Sequence, residues 1–229
     1  MRSRPQLQQG KALTVDEVLA WVGPEARTIV EIGAHDGSDT FFLAELFPQA
    51  TIYAFEPDPR AIAKLAARGP HPRIKAFATA IGAFDGEAEF YASGGLMPGA
   101  TPAQEKRYRD GWDKSGSLRA PKNHLVTDPW VTFDQRIKVM VRRLDTWMNL
   151  HGIARIDFIW ADVQGAEADM IAGAQNALAV TRYLYTEYSD DELYEGQPTL
   201  DQICASLPSF VVQKRYSSDV MLRNTALAP

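Results

Sequence analysis

The chain has 229 residues, 45% of them hydrophobic, enough for one large domain with a full core or two small ones. A formal net charge of −5 argues against a protein whose main business is gripping nucleic acid, and no run approaches the ~18 apolar residues of a membrane span. One cysteine, Cys204, excludes an internal disulfide framework and suits a reducing compartment.

The polar arm Met1–Gly10 carries charge but no apolar h-region, so it does not read as a signal peptide, and the expectation is a soluble, cytoplasmic protein. Thr14 is placed to cap a helix through Trp21 that stops at Gly23–Pro24. Residues 1–27 thus form an arm and helix, and 28–229 one main domain. Thr28–Ile32 reads as a buried strand, 38–47 as a helix capped by Ser38, and Thr51–Glu56 as a second strand. Pro59–Ala67 is a helix with proline at its first position, where the missing N–H costs nothing. Arg73–Ile81 predicts strand three, and Glu87–Tyr91 a further strand after the Asp85–Gly86 turn. Periodicity then collapses into Gly, Pro and charge over about 93–130, an insertion long enough to be a substrate lid.

Beyond it, Gln135–Arg142 alternates as a half-buried strand, Leu144–His151 reads as a helix, and Ile156–Asp162 as a buried strand ending in an acid. Glu167–Ala179 predicts a helix, and Tyr183–Glu187 an apolar strand ending in another acid. Leu200–Leu207 is an amphipathic helix in which Cys204 serves as a small apolar residue. Phe210–Tyr216 and Val220–Arg223 make an antiparallel hairpin. This alternation predicts an α/β fold, Rossmann-like, with an open, mainly parallel sheet, helices on both faces and a terminal hairpin that sets one antiparallel strand at an edge. Ligands in such sheets sit outside the carboxyl ends of the strands, a rule that gathers Glu31, Glu56, Asp162 and Glu187 along one rim.

Strand, glycine turn, helix and strand with a terminal carboxylate make a unit that cradles an adenosine-containing cofactor. The spacing here is Glu31-x-Gly33-x-x-x-Gly37, with His35 and Asp36 where a pyrophosphate would need open backbone. Acidic groups beside the turn suit an ammonium and a sulfonium, so the cofactor read from the sequence is S-adenosylmethionine. Glu56 is the acceptor for two ribose hydroxyls, since an ionised acid only accepts. The expected cofactor residues are Glu31, Gly33, Ala34, His35, Asp36, Gly37, Glu56, Pro57, Ala80, Ile81 and Asp162.

Val30–Gly37, Phe55–Pro57 and Asp162–Glu167 together resemble the FkbM-type methyltransferases, with the Gly165–Ala166–Glu167 segment the more distinctive part. The resemblance covers Thr28 to Glu187. It implies a class I methyltransferase fold and an S-adenosylmethionine-dependent O-methyltransferase acting on a hydroxyl of a sugar, glycan precursor or related natural product. Two positions depart from the family pattern: Trp160 replaces its lysine, and Gln164 replaces a glutamate that could accept a proton.

A sugar hydroxyl is a very weak acid, so transfer needs a base or a metal that lowers its pKa. Asp162, Glu187 and His124 are the candidate bases; Asp162 and Glu187 could instead hold Mg²⁺, although no tight metal-spacing motif favours it. Ser115, Ser117, Arg119, Lys122 and Gln164 are the candidate acceptor contacts. Between Thr101 and His124, Lys106, Arg107, Arg109, Lys114, Arg119 and Lys122 face only Glu105, Asp110 and Asp113, which predicts a clamp for an anionic small-molecule or glycan acceptor. Two alternatives stay open, an NAD(P)-dependent oxidoreductase and a non-catalytic cofactor-binding module. Nucleic acid and membrane are not expected partners, and oligomeric state is not legible.

Overall fold

The computed structural model describes residues 13–227, so Met1–Gly10 lies outside the described residues. In chain order its strands are β1 (Thr28–Ile32), β2 (Thr51–Phe55), β3 (Ile74–Phe77), β4 (Ala80–Ile81), β5 (Gly86–Gly95), β6 (Val131–Arg142), β7 (Ile156–Ala161), β8 (Thr181–Glu187), β9 (Phe210–Arg215) and β10 (Asp219–Asn224). The central sheet has seven strands in the order β3-β2-β1-β7-β8-β10-β9. The first five are parallel, and β10 runs antiparallel to both its neighbours.

Helices cover both faces: α1 (Val15–Val22), α2 (Ser38–Leu46), α3 (Pro59–Ala66), α6 (Leu144–His151), α7 (Glu167–Ala172), α8 (Gln175–Ala179) and α9 (Leu200–Ser206), with the short α4 (Pro102–Arg107) and α5 (His124–Thr127) in the insertion. Successive strand residues point to opposite faces, so β1 feeds both cores. Val30 joins Trp147, Ile159, Met170 and Leu184 on one side. Ile29 joins Val18, Leu43, Phe47, Phe158 and Tyr185 on the other. Among the described residues no helix is long and apolar enough to cross a membrane.

Several local expectations change. Arg73–Ile81 is not one strand: after β3 the chain breaks at Ala78–Thr79, and β4 begins a second, three-stranded sheet, β4-β6-β5. β5 and β6 extend past the predicted ends, pairing antiparallel from Gly86–Val141 to Gly95–Val131, so β5 runs into the expected insertion and β6 starts where it ends. The helix read over 167–179 divides at Gly173, whose carbonyl accepts from Asp145 N–H at 3.0 Å. A side chain at Gly173 would put a Cβ 1.9 Å from the Gly82 oxygen, so the junction of α7 and α8 passes close against the backbone just after β4. Ser38 is the first helical residue rather than the cap; Gly37, in the left-handed region, is the cap, and Asp36 accepts the Ser38 N–H at 3.1 Å. At the far end, β10 inserts between β8 and β9, so the antiparallel strand is internal and β9 forms the edge.

Candidate functional site

At the carboxyl end of β1 the chain turns with Gly33 at φ +90°, where an added Cβ would lie 1.9 Å from the Asp162 carbonyl oxygen at the end of β7. Only glycine permits that approach. Gly33 and Ala34 N–H both donate to the Phe55 oxygen, at 2.9 and 3.0 Å, which ties the turn to β2. Glu56 follows β2, is 6% exposed, and accepts His35 N–H at 2.7 Å and Asp58 N–H at 2.8 Å, one on each carboxylate oxygen. Burial drives its pKa up to about 7, against those two backbone donors.

The cavity beside this turn measures about 890 Å³ including its open mouth. It is lined by Gly33, Ala34, His35, Asp36, Glu56 and Pro57, with Ala80, Ile81 and Asp162 on its other walls. Two expected members stand apart. Glu31 is 1% exposed beneath the turn, its carboxylate taking the Thr40 hydroxyl, and burial pushes its pKa well up. Gly37 starts α2 instead of facing the cavity. The sequence reading missed Ser38, Asp39 and Thr79, and from the insertion Asp113, Lys114, Gly116 and Leu118, all of which line it.

The insertion is bound to the cofactor turn by ions. Arg107 reaches Asp36 at 2.5 Å, while Asp113 accepts from His35 Nε2 at 2.9 Å and Lys64 Nζ at 2.5 Å. Burial pushes the Asp113 carboxyl up, but hydrogen bonds from His35 and Lys64 outweigh it and hold the group at about 2. Burial of Asp36 is likewise outweighed, by hydrogen bonds from His35 and Ser38 and the Arg107 charge, and its pKa lies far below the usual carboxylate range. For His35 burial works downward, yet hydrogen bonds to Asp113 and Asp36 win and raise its pKa.

The expected anionic clamp is not assembled. Arg119 grips Asp169 with two bonds of 2.6 Å, Lys122 pairs with Glu192, and neither side chain lines the cofactor cavity or the cavity next to it. Their spacing was legible, but their partners come from α7 and from a loop about seventy positions away. Ser115 and Ser117 hold the insertion in shape. Ser115 Oγ accepts from Trp112 Nε1 at 3.0 Å, and Ser117 Oγ donates to the Gln164 carbonyl at 2.7 Å.

Gln164 stands at φ +50°, a conformation uncommon outside glycine, and it lines both cavities. Its Nε2 donates to Asp162 Oδ1 at 2.7 Å and to Glu187 Oε2 at 3.1 Å. Its Oε1 accepts from the Tyr194 hydroxyl at 3.0 Å. Burial raises the pKa of both carboxyls. Asp162 is drawn back by hydrogen bonds from Gln164 and Glu187, whereas Glu187 is driven higher still by the charges of Asp162, Asp219 and Glu167. Of the two, Glu187 is the carboxyl pushed further up. Glu167, first residue of α7, is fully buried, not solvent-facing; burial lifts it to about 7, and its Oε2 has no hydrogen-bond partner. His124 is buried too, edge-on to Phe133 and Tyr194. Among the described residues no three His, Cys, Asp or Glu side chains gather into a group able to hold a metal ion.

Residues 31–216 match the Methyltransferase FkbM domain. The 2-O-methyltransferase NoeI of Sinorhizobium fredii is 47% identical over 204 residues, covering 87% of this chain and 80% of that protein. The AMB antimetabolite synthetase AmbE of Pseudomonas aeruginosa is 29% identical over 199 residues, covering 77% of this chain but 9% of that much longer protein. Among solved structures, an O-methyltransferase family protein from Burkholderia thailandensis is 11% identical with a TM-score of 0.46, covering 92% of this chain and 54% of that one. With the family domain spanning most of its length, the protein belongs to the FkbM methyltransferase family and is an S-adenosylmethionine-dependent O-methyltransferase.

Proposed function

We propose that this enzyme methylates a hydroxyl of a sugar or glycan precursor, with S-adenosylmethionine in the cavity beside Gly33–Asp36 and Asp162 as the proton acceptor. The observation that carries the reading is the Gln164 amide, which joins Asp162 and Glu187 where the cofactor cavity meets a second one. The relative NoeI, a 2-O-methyltransferase, agrees with an oxygen acceptor.

The residues present suit the cofactor. Glu56 has an oxygen on each side already oriented by a backbone N–H, leaving lone pairs for two ribose hydroxyls. Asp39 and Asp162 give the cavity negative groups that suit an ammonium and a sulfonium and repel a pyrophosphate. Bound S-adenosylmethionine supplies a methyl group already activated on sulfur. The protein's part is to align an oxygen with it, an effect that can contribute roughly 7–11 kcal/mol, and to take the hydroxyl proton. Asp162 is the ionised member of its pair, and Gln164 fixes its carboxylate by donating to one oxygen. Glu187 holds a proton and contributes no competing charge. The insertion acts as a lid, its Arg107 and Asp113 closing on Asp36 and His35.

Titration calorimetry with S-adenosylmethionine and NAD⁺, followed by S-adenosylhomocysteine release in a sugar acceptor screen, tests this function. Binding of NAD⁺ instead, or cofactor binding without turnover on any hydroxyl acceptor, sinks it. Loss of turnover in chelator with recovery on adding Mg²⁺ reassigns Asp162 and Glu187 as metal ligands.

A further inference from the structure

The second cavity measures about 1060 Å³ including its open mouth, and Gln164 is common to it and to the cofactor cavity. Its carboxyl groups are Glu187 at the inner end, held protonated in the function proposed above, and Asp190 and Asp191 on the loop beyond β8. Among the described residues, no lysine or arginine lines it. Arg119 and Lys122, the cations that sequence spacing would have sent here, are bound to Asp169 and Glu192.

One further group in this lining lacks a partner. His124 is 7% exposed and forms part of the cavity wall, yet its Nδ1 makes no hydrogen bond. Edge-on contacts to Tyr194 and Phe133, each at 5.4 Å between ring centroids, hold the imidazole in place. The imidazole therefore serves as a packed wall of the cavity, opposite the acidic loop.

Building on the function proposed above, we infer that this cavity is the acceptor subsite, and that it takes an uncharged, hydroxyl-rich ring and rejects anionic sugars. The acceptor's reacting hydroxyl meets Asp162 at the Gln164 end, and its ring lies along the wall formed by His124 and Tyr194. The acidic loop leaves no cation to offset a carboxylate or phosphate on the sugar, so a neutral ring enters without electrostatic cost and an anionic one does not.

The test uses the whole protein with methyl-labelled S-adenosylmethionine and a matched panel. Neutral mono- and oligosaccharide methyl glycosides are compared with the corresponding uronates and sugar 6-phosphates. Neutral members should be labelled with at least about tenfold higher kcat/KM than their anionic counterparts, and the double variant D190N/D191N should narrow that ratio several-fold without changing cofactor affinity. Ser189→Trp, on the cavity-facing loop, should raise the acceptor KM or abolish transfer with cofactor binding intact. Preferential labelling of uronates or phosphates overturns the inference, as does a Ser189→Trp enzyme with unchanged acceptor KM. If the cofactor binds but no sugar of either charge is labelled, the sugar reading itself fails and takes this inference with it.

Discussion

Gln164 donates a 2.7 Å hydrogen bond to Asp162, two residues back, from a backbone held at φ +50°. The same nitrogen reaches Glu187, so one neutral amide keeps two carboxyls together where a glutamate would have added a third carboxyl group. Gln164→Glu should therefore lower kcat by about 10–100-fold, the scale of losing donors to a charged group, while cofactor affinity changes less than about threefold. Steady-state kinetics beside calorimetry checks it; an unchanged kcat would show that the bridge is dispensable.

Asp162 and Glu187 should separate on substitution. Asp162→Asn removes the ionised carboxylate and should cost about 10²–10⁴-fold in turnover, with cofactor binding near normal. Glu187→Gln preserves a neutral hydrogen-bonding group and should cost less. The opposite order identifies Glu187 as the base.

Glu56 makes cofactor binding pH-dependent. Its carboxyl, lifted by burial to about 7, is protonated below that pH and cannot then accept from two ribose hydroxyls. Affinity for S-adenosylmethionine should rise by up to about tenfold per pH unit from pH 5.5 towards 7 and level off above 8. Because the folded pKa lies above that of the unfolded chain, this group stabilises the free protein at low pH, and that contribution is lost as pH rises through about 7. Melting temperatures across that window, with and without cofactor, should diverge accordingly. Glu56→Ala should weaken binding by roughly 1.5–3 kcal/mol and flatten the profile; unchanged affinity in that variant refutes the ribose assignment.

Gly33→Ala should fail structurally before it fails chemically. Its Cβ would sit 1.9 Å from the Asp162 carbonyl oxygen, and φ +90° disfavours any side chain. The strained backbone alone costs about 1–3 kcal/mol, and the clash must push β1 and β7 apart. A lower melting temperature and loss of cofactor binding are expected; a variant that binds normally contradicts the close approach.

Arg107 tests the lid. Its guanidinium is about half exposed (45%) although Asp36 is nearly buried, so Arg107→Ala should speed cofactor dissociation only about 2–5-fold. The difference from the unsubstituted enzyme should shrink in high salt, where screening already weakens the pair. Stopped-flow displacement measures both. Equal dissociation rates at low salt would mean that this contact does not retain the cofactor.

The central sheet was legible because its signals are local. Apolar runs such as Thr28–Ile32 and Ile156–Ala161 are long enough to be buried on both faces, glycines stand where the turns need them, and Glu56, Asp162 and Glu187 end or follow their strands. Cap and hairpin details shifted by a residue or a strand position because neighbouring options differ by little free energy. The second sheet was not legible: Ala80–Ile81 is too short to announce itself and exists by pairing with Val141–Arg142, sixty positions away.

The sequence by itself determined the family, the glycine turn after β1, and many of the residues that line the cavity beside it, since these depend on residue type at short spacing. Charge pairing depended on the tertiary structure. A count of basic residues in the insertion pointed to an anion clamp, but folding supplied Asp169 and Glu192 as their partners, and Asp36 as the partner of Arg107. It also buried Glu31 under the turn and set the unpartnered His124 beside an acidic cavity. A charge acts through whatever lies within a few ångströms of it, and for these residues that neighbourhood is built from segments far apart in the chain.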